Sequence, residues 1–415
     1  MSISKFVSSK ARNYRPALWL ALFVALAGSA VGQPFHSSAW PDRITLTWAA
    51  DPAHSQTVTW RTDSTVVQAV AQLKVEDGTP DMQAGMQEYR AASRVLVTKE
   101  GRTDRYHHVS FGGLQPGTHY TYRVGDGEHW SEWFQFRTAA AQTSDSAFSF
   151  IYLGDGQNDL KSRWSRTVRA AILADPDARF VIHAGDLINR ANTDKEWGEW
   201  HHGGGFFNAM VPVVPTPGNH EYFRDTAERL TLDPHWAAQF TLPRNGPEGL
   251  QESVYYLDYQ YVRIISLNSQ LIMLDEEARN AQLRWLEGVL ANNPKLWTIV
   301  TMHHPVYSTS KRRDNAVLRE LFKPVFDRYG VDLVFQGHDH TYARGRGAGA
   351  QPTSPMYVVS VAGPKMYDSD SDRWMDKALT ETQVYQLIQL DGNRLEYEAY
   401  NVAGLLVDQF VLEKD

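Results

Sequence analysis

Five short apolar runs in this chain end alike: FSFIYLGD, RFVIHAGD, VPVVPTPGNHE, LWTIVTMHH and VDLVFQGHDH. Each delivers residues that bind metals, namely Asp155, Asp186, Asn219, His303, and the pair His338 and His340. Runs of this length and composition read as buried strands. In open α/β sheets, ligands gather beyond the carboxyl ends of strands, so five such endings predict one crevice with sheet behind it. Carboxylates, an amide oxygen and imidazoles suit a pair of hard or borderline ions. The pattern predicts a dinuclear metal centre and points to hydrolysis.

The 415 residues suit two domains, each with its own core. From Pro41 to Thr138 the chain alternates strand and turn, as in RITLTWAA, QTVTWRT, AQLKVE, RYHHVSFGGL, THYTYRVGD and EWFQFRT. Asp51-Pro52, Asp77-Gly78 and Pro116-Gly117 supply the turn chemistry between them. An all-β sandwich is predicted over residues 40–138, with Trp48 and Trp60 in its core. Residues 139–147 read as a linker. Residues 148–415 read as an α/β catalytic domain, with helical stretches such as RWSRTVRAAILAD and NAQLRWLEGVLANN between strands and further strands in the tail.

Residues 1–32 carry Lys5, Lys10, Arg12 and Arg15, then ALWLALFVALA, then small residues, which is the order of a cleaved secretory signal. The apolar run falls short of the roughly 20 residues that span a bilayer, so no lasting membrane anchor is expected. Loss of this segment takes the net charge from −7 to −11. The chain has no Cys, which excludes disulfides, thiolate metal sites and Cys nucleophiles. An exported protein without Cys fits a bacterial envelope or medium, periplasmic or secreted. No basic stripe suggests nucleic acid.

Singly, each motif has a plain structural reading: Gly-Asp is common in turns, and Asn219-His220 can cap a helix. Jointly, and in this order, GDGQ, GD, GNHE, HH and GHDH resemble the calcineurin-like metallophosphoesterases. With LQPGTHYTYRVGDG, WSEWFQFRT, NGPEGLQESVYYLDY and GHDHTYAR, the chain resembles the purple acid phosphatase branch, particularly bacterial members with a fibronectin type III-like domain. The resemblance implies two packed mixed sheets flanked by helices and metal-assisted hydrolysis of a small phosphorylated substrate, most readily a monoester. Phosphodiester hydrolysis is the rival within that class. An envelope protein that binds carbohydrate or protein, with a degenerate hydrolase domain, is the rival outside it. Completeness of the ligand set opposes the last.

The same resemblance assigns roles. Asp186 would bridge two ions of Fe, Zn or Mn; Asp155 and His340 would complete the first, and Asn219, His303 and His338 the second. His220 would bind phosphate and protonate the leaving group. Glu221 has two readings, holding that imidazole or capping a helix. Two positions depart from the purple pattern: Asn189 stands where the iron-binding Tyr is expected, and Gln157 where Gly or a ligand His is usual. A purple ferric-tyrosinate centre is therefore not expected. His304 has two readings, a substrate contact or a buried neighbour of the ligands; Lys311, Arg312 and Arg313 read as a solvated charge run or, with Tyr307, as substrate contacts; and His201 to Gly205 reads as a mobile loop. Oligomeric state is not specified by the sequence.

Overall fold

Two antiparallel four-stranded sheets make the amino-terminal part of the computed structural model, which describes residues 35–415 except 143, 145, 311, 348 and 371–373. The predicted signal segment 1–32 and Lys311 thus lie outside the described residues. One sheet runs Asp42–Thr47, Ser55–Asp63, Thr103–Gly112, Ala92–Val97; the other runs Gln87–Arg90, Val70–Val75, His119–Gly125, Phe134–Arg137. Alternate residues, among them Val58, Trp60, Phe111, Tyr122, Val124 and Phe136, fill the space between them. The sequence did not reveal Gln87–Arg90 and Ala92–Val97, because both are edge strands with largely exposed side chains and no apolar alternation. Trp48 corrects its expected place. It lies beyond Asp42–Thr47, and its ring packs on Phe180 and Tyr259, at 5.8 and 5.6 Å, in the core of the second domain.

That second domain is two mixed sheets. The first orders Val213–Pro215, Val181–His183, Phe148–Leu153, Val384–Asp391, Arg394–Asn401, Leu406–Glu413. The second orders Tyr255–Tyr259, Val262–Leu267, Trp297–Met302, Leu333–Gln336, Met356–Val359, Tyr342–Gly345, Lys377–Leu379. In the second sheet, Val262, Ile264, Ile299, Leu333 and Phe335 join the core shared with the first sheet. Ile265, Leu267, Val300, Met302 and Val334 instead meet residues of the helices Ser269–Leu274, Glu276–Ala291 and Lys323–Tyr329. Burial on both faces explains why these strands are continuous apolar runs. YYLDYQYVRIISLN, which the sequence presents as one stretch, is a hairpin. Its turn lacks Gly and Asn, and Gln260 takes the positive φ of 49° instead.

Register places the strand ends level. Val181–His183 pairs in parallel with Phe148–Leu153 and with Val213–Pro215, setting Leu153, His183 and Pro215 side by side. In the other sheet, Thr301 stands opposite Phe335 and Gln336 opposite Val359. The two sets of ends are tied across the core. Tyr152 stacks on Phe335 at 4.2 Å and donates its hydroxyl hydrogen to the Gln336 carbonyl. Tyr255 donates to the Pro215 carbonyl at 2.8 Å.

The sandwich meets these sheets through charge. Arg43, Arg61 and Arg102 converge on Asp194 at 2.7, 3.4 and 2.5 Å. Arg61 also pairs with Asp42 and Asp104, and His235 lies between Asp194 and Asp233. Asp194 opens the helix Asp194–Gly204, which corrects the reading of His201 to Gly205 as a mobile loop. His201 is buried, with Nε2 2.9 Å from Gln239 Oε1, and Gly203 packs against the Trp164 ring. The connecting stretch is also docked. Ala139 is buried, and Gln142 donates to the Asp51 carboxylate and the Asp258 carbonyl. Among the described residues, no helix is long and apolar enough to cross a membrane.

Candidate metal centre

Each strand end turns sharply, and the turns aim the donors. Asp186, His338 and His340 hold φ of 50°, 72° and 50°, a left-handed backbone that costs about 1–3 kcal/mol at each non-glycine residue. Close packing holds them there. A Cβ on Gly218 would lie 2.2 Å from Asp186 Oδ1, and one on Gly337 would lie 2.4 Å from Asp155 Oδ2. The glycines before Asn219 and His338 are thus the space in which the carboxylates sit.

The donors fall into two groups that share one residue. Oxygens and ring nitrogens of Asp155, Asp186 and His340 lie within 4.8 Å of one another, as do those of Asp186, His303 and His338. Asn219 Oδ1 is 3.1 Å from His303 Nε2, which adds the amide to the second group. His303 Nδ1–H donates to the Ala184 carbonyl at 2.9 Å and His340 Nδ1–H to the Lys365 carbonyl at 3.0 Å. Carbonyls only accept, so these bonds fix the tautomers and leave both Nε2 atoms as lone-pair donors facing the carboxylates.

Charge in this cluster is not balanced by the protein. Burial raises Asp155, and its Oδ1 has no hydrogen-bond partner. That oxygen lies 3.8 Å from His340 Nε2 and 4.0 Å from His303 Nε2. Burial also works against ionising Asp186, but the neighbouring His303 outweighs it and holds Asp186 well below the usual carboxylate range. Burial would lower His303, yet Asp186 prevails and raises it. Burial lowers His340 to about 3 and lowers His338 further, so both are neutral imidazoles, the form that binds metal. An orphaned carboxylate oxygen beside imidazole nitrogens, with His338 and His340 neutral, fits a bound cation.

Glu221 fastens the site without touching His220. Its buried carboxylate accepts backbone N–H bonds from Gly218 at 2.7 Å, Asp186 at 2.9 Å and Leu187 at 2.8 Å, joining two ligand-bearing turns. Of its two readings, holding the His220 ring is therefore corrected. The ring is held by Asn189, whose carbonyl accepts His220 Nδ1–H at 2.5 Å. His220 Nε2 then faces the cluster, 3.9 Å from Asp186 Oδ2. His304 is buried beneath the centre, with Nδ1 2.9 Å from Ser269 Oγ and its ring 4.2 Å from that of His338. Gln157 donates from Nε2 to Asp186 Oδ2 at 2.8 Å.

The expected substrate contacts divide. Past Pro305 the chain enters the second core, and the half-buried Tyr307 ring packs on Tyr357 and Trp374. Arg313 reaches the rim, but Asp339 at 2.8 Å and the His338 carbonyl at 2.9 Å occupy it. Arg312 is exposed and lines a cavity of about 400 Å³ with Arg313, Asp339 and Tyr367. Sequence reasoning missed Lys365 and Tyr367. Lys365 Nζ lies 3.2 Å from Gln157 Oε1, and the Tyr367 ring stands 4.6 Å from that of His340.

Comparison with known proteins agrees with this geometry. Residues 41–138 match the amino-terminal domain of purple acid phosphatases, and residues 141–342 match the calcineurin-like phosphoesterases. Acid phosphatase type 7 of Mus musculus is 28% identical over 357 residues, covering 79% of this chain and 76% of its own length. Purple acid phosphatase 21 of Arabidopsis thaliana is 29% identical over 267 residues, covering 61% of this chain and 57% of its own. Among solved structures, purple acid phosphatase PPD1 from yellow lupin (Lupinus luteus) seeds superposes with a TM-score of 0.75 at 19% identity, over 91% of this chain and 75% of that one. PhoD superposes with a TM-score of 0.66 at 12% identity, over 92% of each chain. At such identities the two structures establish the fold.

Proposed function

The chain belongs to the calcineurin-like phosphoesterases, in the branch resembling purple acid phosphatases, and from that membership we propose an exported phosphomonoesterase with a two-metal centre. Metal-dependent phosphoester hydrolysis comes with the family; the monoester, the metal pair and the residue roles are our reading. One observation carries it: two donor groups share Asp186, and the unbonded Asp155 Oδ1 lies among them. Asp155, Asp186 and His340 would hold one ion, and Asp186, Asn219, His303 and His338 the other. When bound, such a pair supplies an activated water and neutralises phosphate oxygens.

The remaining work falls to side chains. His220 is partly open to solvent, and its Nδ1–H is engaged by Asn189, so Nε2 is the atom that would carry a proton to the departing alkoxide. Glu221 keeps the Asp186 and Gly218 turns in place. Neither Asn189 nor Gln157 offers a phenolate. The ions are accordingly divalent Mn, Zn or Fe, or a mixed pair, without the visible band of a ferric-tyrosinate centre. The charge order of residues 1–32 supports export to the periplasm or the medium.

The test is metal analysis and an absorption spectrum of the loaded protein, with rates on an aryl phosphate monoester and its diester. Wild type should turn over the monoester faster. His303→Ala should lose hydrolysis and metal together. His220→Ala should lower kcat by about 10²- to 10⁴-fold while metal content holds. Full activity in His303→Ala would end this reading.

A further inference from the structure

Lys365 follows the strand Met356–Val359, which pairs in parallel with the strand that delivers His338 and His340. It therefore leaves the second sheet on the edge where the donors gather. Its loop is anchored to two ligand residues through the backbone. Ala362 and Gly363 donate to the Asp155 carbonyl at 3.1 and 2.6 Å, and the Lys365 carbonyl accepts from His340. The Lys365 backbone is thus held to the turns that carry the donors, and its Nζ is held by Gln157 Oε1.

The side chain also fixes its neighbour. An ammonium can only donate and a carboxylate can only accept. With Lys365 Nζ on its Oε1 and Asp186 Oδ2 on its Nε2, the Gln157 amide has one consistent orientation. Gln157 therefore faces the shared carboxylate with its NH₂. Lys365 keeps further donor hydrogens. It is half-buried, its Nζ stands 5.4 Å from the Tyr367 ring centre, and no carboxylate among the described residues lies within ion-pair distance of it. Arg313, the neighbouring cation, is already committed to Asp339.

Resting on the phosphoesterase reading, we infer that Lys365 binds a terminal phosphate oxygen of the substrate and sets the preference for monoesters over diesters. A monoester dianion presents a charged oxygen beyond those the metal pair takes, and a fixed ammonium answers it with a charge-assisted bond. In a diester that oxygen carries a second organic group and no charge, so the same ammonium contributes little. The specificity would thus come from the loop after Met356–Val359, not from the basic cluster at 311–313.

The experiment uses the full-length, metal-loaded protein as wild type, Lys365→Met and Lys365→Arg. It measures kcat and KM on nitrophenyl phosphate and bis-nitrophenyl phosphate, binding of inorganic phosphate by calorimetry, and metal content. Lys365→Met should lower monoester kcat/KM by about 10- to 100-fold and weaken phosphate binding in step. Its diester kcat/KM should stay within about threefold, with metal content unchanged. Lys365→Arg should recover most of the monoester activity. An unchanged monoester-to-diester ratio overturns the proposal, as does a parallel fall on both substrates with loss of metal. A wild type inactive on both substrates overturns the phosphoesterase reading beneath it.

Discussion

Two buried clusters of charge lie in this molecule, and they are built to opposite rules. Where the sandwich meets the catalytic sheets, Arg43, Arg61 and Arg102 face Asp42, Asp104 and Asp194 at 2.5–3.4 Å. At the strand ends, Asp155 and Asp186 face imidazoles and an amide, and among the described residues no guanidinium enters. In the first cluster, burial opposes ionisation of Asp194, but His235 and the arginines overcome it and hold its pKa far below the ordinary value. In the second, burial wins at Asp155 and pushes it up. A buried ion cluster that completes its own pairing holds parts together, whereas one left short of positive charge recruits it from outside.

Substitutions can break this contrast. The largest effect is expected at Asp155→Asn. Hydrolysis and the first ion should be lost, with activity down on the order of a thousandfold. The metal-free fold should be no weaker, because an amide removes a charge that burial opposes and can still accept the His338 N–H. A fall in the metal-free denaturation midpoint matching that of Asp194→Ala would erase the distinction. Asp194→Ala should do the reverse. It strands Arg43 and Arg61 in a buried position and should cost about 3–5 kcal/mol in urea unfolding, with metal content unchanged.

The smallest effect concerns pH. Asp194 is depressed, so its stabilisation is full above its unfolded value near 3.8 and is lost only as pH falls through the lower folded value. Burial works against protonating His235, but Asp194 and Asp233 raise it above 6.5. Its contribution is full below about pH 6.5 and is lost as pH rises through the folded value. His235→Asn should flatten that alkaline limb of the metal-free stability curve and leave the acid limb. An alkaline limb unchanged in the variant would show that His235 does not carry it.

The strand-end donors were legible because each sits within a few residues of an apolar run, and a parallel sheet aligns such ends. The α/β character was legible from the same runs, whereas the packing of two mixed sheets was implied only by the resemblance to the phosphoesterases. What escaped lies far apart in the chain or carries no local signature. Arg43 and Asp194 are 151 residues apart, and nothing local marks them as partners. MYVVSVAG reads as a strand, but it leads to Pro364 and Lys365, neither of them a usual metal-binding residue type. The closeness of Tyr307 to His303 in sequence does not survive the turn at Pro305. Gln260 hid a hairpin by taking a conformation usually left to Gly or Asn.

The strand Phe148–Leu153, which leads to Asp155, is hydrogen-bonded on one side to Val181–His183 and on the other to Val384–Asp391. A strand read early is therefore completed by one far later in the chain, and the sheet under Asp155 stays open until that strand arrives. Long-range pairing of this kind slows folding. Under the export proposed above, such delay would keep the chain open for threading through a membrane. The order of strands in one sheet thereby sets when the donors of the metal centre first come together.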